Sequence, residues 1–179
     1  MRRLVTFVAG LVVRASVAAP VAASTTQTGQ NCTFPVTLTD ATGTEVTLEE
    51  RPERVTTTNP SAAQTMWEIG GRDQVVGLTR YASYLEGSES RANVSASFGI
   101  SVERVAGTNP DLVVAPNATG AEEVAALRRA GLTVYLLREP TDIAGISEAT
   151  HTIGRLTGNC EGAAEASAWM EANVEAVRN

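Results

Sequence analysis

The chain of 179 residues contains no lysine: its 14 basic side chains are all arginine, set against 20 Asp and Glu, for a net charge of -6. Such an acidic surface argues against nucleic acid and against an anionic membrane face, since both present negative charge. Aromatic residues make up only 4% of the chain, so a core has to be built from Val, Ile, Leu and Ala. There is one histidine, His151, with no second His and no Cys pair beside it, which argues against a transition-metal site. A single His inside a helical stretch also leaves no Ser-His-Asp set and no nucleophile–base pair, so neither catalytic residues nor an enzyme are expected. Neither a Gly-x-Gly-x-x-Gly turn nor a Walker loop is present, so a bound nucleotide has no cradle and no cofactor is indicated.

Cysteine is limited to Cys32 and Cys160. An even count suits a disulfide if the protein is exported. Closing so long a loop contributes on the order of 4–5 kcal/mol in the chain-entropy picture. Export is indicated by residues 1–23: Arg2-Arg3, an apolar run over residues 4–13, then Val21-Ala22-Ala23 as a small-x-small cleavage site. That run, followed by Arg14, is too short to span a bilayer, so no membrane insertion is expected once the signal is removed. Loss of Arg2, Arg3 and Arg14 would leave the mature chain more acidic still. An acidic, lysine-free surface tolerates concentrated salt, where charges are screened, and so points to a haloarchaeal source. A GC-rich genome that encodes Arg in place of Lys accounts for the same bias. Asn31-Cys32-Thr33, Asn93-Val94-Ser95 and Asn117-Ala118-Thr119 match the N-glycosylation acceptor triplet.

After a small, polar linker over residues 24–33, residues 34–39 and 45–48 alternate as two strands about the Asp40-Ala41-Thr42-Gly43 turn, a hairpin. Residues 54–58 are β-branched and strand-like. Asn59-Pro60-Ser61 then breaks the strand, and Pro60 suits the first position of a helix whose Ala62, Met66 and Ile69 share a face. Gly70-Gly71 ends that helix, and residues 75–79 and 111–115 are further strands. Residues 79–101 show no periodicity and read as a long functional loop. Ser101 caps a short helix with Glu103 in its first turn. Residues 121–130 form a helix with Val124 and Leu127 inward, and residues 132–137 a strand. Thr141 is placed to cap the next helix, in which Ile143, Ile146, Ile153 and Leu156 mark one buried face. A last helix runs over residues 161–179. Strands alternating with helices predict an α/β fold: a mostly parallel, Rossmann-like sheet with flanking helices and ligand loops beyond the strand ends.

On residue type alone, Tyr81 and Tyr84 divide evenly between ligand contact and local packing under their own loop, and Phe98 between a ligand wall and a loop anchor. Glu103 reads as a helix-start carboxylate. Asp111 reads as the cap of the turn before its strand.

Several segments in order resemble the helical-backbone substrate-binding proteins of ABC importers, the group that takes up cobalamin and ferric siderophores. They are Thr39-Asp40-Ala41-Thr42-Gly43, Arg51-Pro52-Glu53-Arg54-Val55, Asn59-Pro60-Ser61-Ala62-Ala63, Ile69-Gly70-Gly71-Arg72-Asp73-Gln74-Val75-Val76-Gly77-Leu78-Thr79, Val102-Glu103-Arg104-Val105, Asn109-Pro110-Asp111-Leu112-Val113-Val114-Ala115, Leu127-Arg128-Arg129-Ala130-Gly131-Leu132-Thr133-Val134 and Ile153-Gly154-Arg155-Leu156-Thr157-Gly158. The resemblance implies two α/β lobes joined by one long helix, with the ligand held between them. Residues 34–158 would be the N-terminal lobe and residues 159–179 the start of the joining helix, the second lobe being absent from the sequence. It implies a ligand that is a corrinoid or a ferric chelate, an ABC permease as partner and an extracellular location. The family's cleft loops fall on Asn59, Ser61 and Ala62, on Tyr81 and Tyr84, on Ser97 and Phe98, and on Pro116 and Asn117. Tyr81 stands where cobalamin binders have an aromatic contact, Ser97 or Phe98 at a second such position, and Pro116 where those proteins can have tryptophan. Glu103 matches the carboxylate that docks onto permease arginines. A sensor or interaction module that reuses the fold without transport is the alternative.

Overall fold

A computed structural model describes residues 32–178 of the chain; the expected export signal, most of the linker and Asn31 lie outside the described residues. Strands β1 (Val36–Thr39) and β2 (Glu45–Leu48) form an antiparallel hairpin. The main sheet holds β3 (Val55–Thr57), β4 (Val75–Leu78), β5 (Ala92–Asn93), β6 (Leu112–Ala115) and β7 (Val134–Leu136), all parallel, in the order β5-β4-β3-β6-β7. Five helices accompany them: α1 (Pro60–Glu68), α2 (Val102–Gly107), α3 (Ala121–Arg129), α4 (Ile143–Thr157) and α5 (Cys160–Arg178). Among the described residues no helix is long and apolar enough to cross a membrane.

Strands β3, β6 and β7 are buried on both faces, which is why they are continuous apolar or Thr runs and not polar alternations. In β6, Leu112 and Val114 enter one core with α1, α4 and α5, while Val113 and Ala115 enter the other with Val105 of α2 and Val124 and Leu127 of α3. Met66 fills the first core from α1, together with Ala62, Ala63 and Ile69. The end of α1 and the start of α5 touch backbone to side: a Cβ at Gly162 would lie 2.2 Å from the Ile69 carbonyl oxygen, so only glycine allows the approach. Cys160, the first residue of α5, is joined to Cys32 by a disulfide with Cα atoms 5.8 Å apart.

The structure departs from the sequence expectations at defined points. Residues 79–101 are not one loop: they contain two 3₁₀ turns and the edge strand β5, whose two residues are too few to carry a pattern. The cap of α4 is Asp142 and not Thr141; the Asp142 carboxylate accepts from the Gly145 N–H at 2.7 Å, and a carboxylate is the stronger acceptor at a helix start. Of the isoleucine face of α4, Ile153 and Leu156 are buried, Ile143 is half-buried and Ile146 is exposed, because the first turns of α4 overhang a cavity beyond the strand ends. Asp111 does not cap its own turn. Its carboxylate accepts from the Glu53 and Arg54 N–H groups, both at 2.9 Å, and so fastens the approach to β3 onto the start of β6.

The hairpin is fixed to the lobe by one buried carboxylate. Asp40 accepts from the Thr42 hydroxyl at 2.6 Å and the N–H groups of Thr42, Thr44 and Leu136 at 2.8, 3.1 and 3.2 Å, and it pairs with Arg128 of α3. Burial pushes its pKa up, but the hydrogen bonds from Thr42, Leu136 and Thr44 outweigh that and hold it below the ordinary carboxylate value. A carboxyl whose pKa is lowered by folding stabilises above its unfolded value near 4, and that contribution is lost as pH falls through the lowered one. Asp40→Ala is therefore expected to destabilise by about 3 kcal/mol at neutral pH, as for a broken buried ion pair. Asp40→Asn should flatten the acid limb of urea-unfolding stability between about pH 5 and 2. Parallel acid limbs in wild type and Asp40→Asn would remove this role.

Candidate functional site

The strand order reverses direction between β3 and β6, and the loops that follow these two strands part from each other there. In open α/β sheets the crevice outside the strand C-termini at such a switch point is where ligands sit. After β3, the Thr58 N–H still bonds the Val114 carbonyl at 3.2 Å, and its hydroxyl meets the Thr119 hydroxyl at 2.7 Å in a buried contact that ties the two loops at their base. Above this tie, Asn59 caps α1: its side-chain oxygen accepts from the Ser61 N–H at 3.0 Å and lies 3.1 Å from the Ser61 hydroxyl. A cavity of about 400 Å³ opens beyond the strand ends. It is lined by Asn59, Ser61 and Ala62, by Pro116 and Asn117, by Arg138 and Glu139 after β7, and by Ile146 and Ile153 of α4. Ala62 contributes little more than its floor, being 2% exposed.

A second group stands on the same rim but outside that cavity. Tyr81 and Tyr84, after β4, are 63% and 62% exposed, and Phe98, after β5, is 94% exposed. None of the three packs under its own loop. Tyr84 is held at the top of α1, its hydroxyl donating to the Gln64 side chain at 2.8 Å. Arg80 joins the other two segments. Its guanidinium lies 5.2 Å from the centre of the Tyr81 ring and donates to the Ser97 carbonyl at 3.1 Å, while its own N–H donates to the Ser95 hydroxyl at 2.9 Å. Gly99 follows Phe98 with φ +65, and a Cβ there would lie 2.1 Å from the Glu123 carboxylate. The turn behind Phe98 therefore has to be glycine. The structure thus divides the expected ligand residues into a cavity set (Asn59, Ser61, Ala62, Pro116, Asn117) and a rim set (Tyr81, Tyr84, Ser97, Phe98).

The fold finds its counterpart in known proteins. Residues 55–179 match the model of the family described as periplasmic binding protein. The chain belongs to that family. It is a family of binding proteins and not of enzymes. Among curated proteins, a cobalamin-binding protein of Halobacterium salinarum is 51% identical over 148 residues, covering 82% of this chain and 40% of the relative. Among solved structures, the heme binding protein HmuT aligns over 75% of this chain and 44% of its own, with TM-score 0.65 and 24% identity. The periplasmic vitamin B12 binding protein BtuF of Vibrio cholerae aligns over 71% of this chain and 50% of its own, with TM-score 0.63 and 23% identity. These structures share the parallel sheet with flanking helices. The chain spans about two fifths of the length of the curated relative from Halobacterium.

In this periplasmic binding protein lobe, Glu103 lies in the first turn of α2, exposed and without an ion pair. Four residues of the site were not singled out from the sequence. Arg138 and Glu139 lie just beyond β7, after Leu137, so the rule that ligands gather at strand C-termini is the signal that reaches them. Glu139 accepts from the Asn117 side-chain amide at 2.9 Å and sets one wall of the cavity. Glu123 had no local signal; one of its oxygens accepts from the Gly120 N–H at 3.1 Å and the other from the Ile100 N–H at 3.2 Å, so it links the loop after β6 to the Phe98 turn. Arg80, besides its neighbour Tyr81, acts through Ser95 and Ser97, which are distant in sequence. Among the described residues no cluster of three His, Cys, Asp or Glu could hold a metal ion. Arg80→Ala should free the Phe98 turn: the Ala96 amide, bonded to the Gly99 carbonyl at 3.1 Å, is expected to exchange its hydrogen about tenfold faster, while amides of α4 keep their rates. Unchanged exchange at Ala96 would show that the turn holds itself.

Proposed function

We propose that this chain is the N-terminal lobe of the extracellular solute-binding component of an ABC importer, and that it presents a corrinoid or, second, a ferric chelate to the permease. The observation that carries this reading is the exposure of Tyr81, Tyr84 and Phe98 on one rim beside the switch-point cavity, in a chain with only three Tyr and three Phe. Exposed rings held by hydrogen bonds at their bases cost apolar hydration until a large, flat or greasy ligand covers them. A corrin ring is such a ligand, and the likeness to the Halobacterium cobalamin-binding protein favours it over an iron chelate. Binding rests on ring contact and on backbone and amide groups of residues 59–61 and 116–117, with no charged metal cage. Export follows from the family and from residues 1–23, read as a signal. Glu103 stands free on the outer side of the lobe for an arginine of the permease.

Calorimetric titration of the protein, in the length its gene encodes, with cyanocobalamin and with a ferric siderophore tests the ligand. Heat is expected with the corrinoid, and Tyr81→Ala or Phe98→Ala should each weaken it about tenfold. No heat with either compound rejects the reading. Glu103→Arg should abolish uptake in cells while ligand affinity stays unchanged; uptake equal to wild type would remove the docking role.

A further inference from the structure

In the acceptor triplets Asn93-Val94-Ser95 and Asn117-Ala118-Thr119 both asparagines are exposed, but their side chains are engaged through different atoms. Asn93 ends β5, the outermost strand of the sheet, and is exposed. Its side-chain oxygen accepts from the Ser95 N–H at 2.9 Å, which leaves the amide nitrogen without a partner and open to solvent. At Asn117 it is the nitrogen that is engaged, donating to Glu139 at 2.9 Å on the wall of the cavity. A glycan joins asparagine through that nitrogen. One on Asn117 would crowd the nitrogen that bonds Glu139 and stand in the cavity. One on Asn93 breaks no bond of the fold and projects from the open edge of the sheet.

We infer that Asn93 carries an N-linked glycan in the exported protein and that Asn117 does not. The hydroxyls of both triplets are buried, Ser95 accepting from the Arg80 N–H and Thr119 facing Thr58. Transfer therefore precedes closure of the rim at both triplets: a chain modified at Asn93 folds around its glycan, whereas one modified at Asn117 carries it between the loop after β6 and Glu139 and is lost from the folded, exported protein. In the transfer, the Asn93 nitrogen attacks the anomeric carbon of a lipid-phosphate-linked glycan. The C–N bond forms, the C–O bond to phosphate breaks, and the amide proton leaves with the lipid phosphate. The glycan would also cover the free N–H and C=O groups of β5, which otherwise offer an edge for pairing with another chain.

The inference goes beyond the ligand reading and stands without it, since it needs export alone. The test is peptide mass spectrometry of the reduced protein, recovered from an exporting host whose own surface proteins are glycosylated at Asn-x-Ser/Thr. Protein from a bacterial cytosol is the unmodified reference. Because all basic residues are arginine, trypsin isolates Asn93 on residues 92–104 and Asn117 on residues 105–128. A glycan mass on the first peptide, its loss in Asn93→Gln, its retention in Ser95→Thr and a bare second peptide are expected. A bare 92–104 peptide, or a glycan on 105–128, overturns the inference.

Discussion

A parallel sheet buried on both faces requires helical crossovers on both sides, and each crossover is right-handed. Those two requirements together force the winding to change direction somewhere in the sheet. Here it changes between β3 and β6: α1 returns over one face, α2 and α3 over the other. No helix can cover the strand ends at that junction, so the chain leaves a crevice there whatever its ligand. The strand residues obey the same constraint, since Leu112 and Val114 serve one core and Val113 and Ala115 the other. The cavity is thus a consequence of chirality and burial, and the residues around it are free to vary in kind.

Loops at both ends of the sheet are held by long polar side chains that reach backbone groups of other loops. In a lysine-free chain this work falls to arginine, whose planar fork donates in several fixed directions. Arg51 bonds the Thr157 carbonyl and the Asn159 side chain near the disulfide. Arg54 bonds the carbonyls of Asn109 and Thr108, Arg104 that of Ser95, and Arg80 that of Ser97. Arg128 bonds Asp40 and the Val134 carbonyl. An arginine-rich composition that suits concentrated salt on the outside of the molecule therefore also supplies its loop clamps. On the ligand rim, Arg80 and Arg104 hold the backbone ahead of Phe98, whose ring stays out of the core.

The two halves of the site differ in how they are built. The cavity of Asn59, Pro116 and Arg138 is shaped by the sheet itself, one residue or two beyond each strand end. The ring cluster depends on the segment between β4 and α2, where short 3₁₀ turns and a two-residue strand give little backbone support. Glu123 is the bond between the halves, touching both Gly120 and Ile100. Beside this site α5 carries Trp169 exposed on its outer side, 71% to solvent, over a groove shared with Gln64 and Ile146.

What the sequence determined alone are the features written in neighbouring residues. The helix over Pro60–Glu68, the strand after Asn109-Pro110, the Ser101 cap and the hairpin around Asp40 follow from local dihedral preference and from spacing along one face. The tertiary structure decided everything that depends on residues meeting from far apart. β5 exists because β4 offers its edge, not because Ala92 and Asn93 favour a strand. Asp111 leaves its own turn for the N–H groups of Glu53 and Arg54, Asp40 reaches Leu136 and Arg128, and Ile146 stays exposed because the core ends beneath it. Local propensities amount to tenths of a kcal/mol per residue, whereas a buried charge or an unpaired strand edge costs several times more, so the distant partner prevails wherever the two disagree.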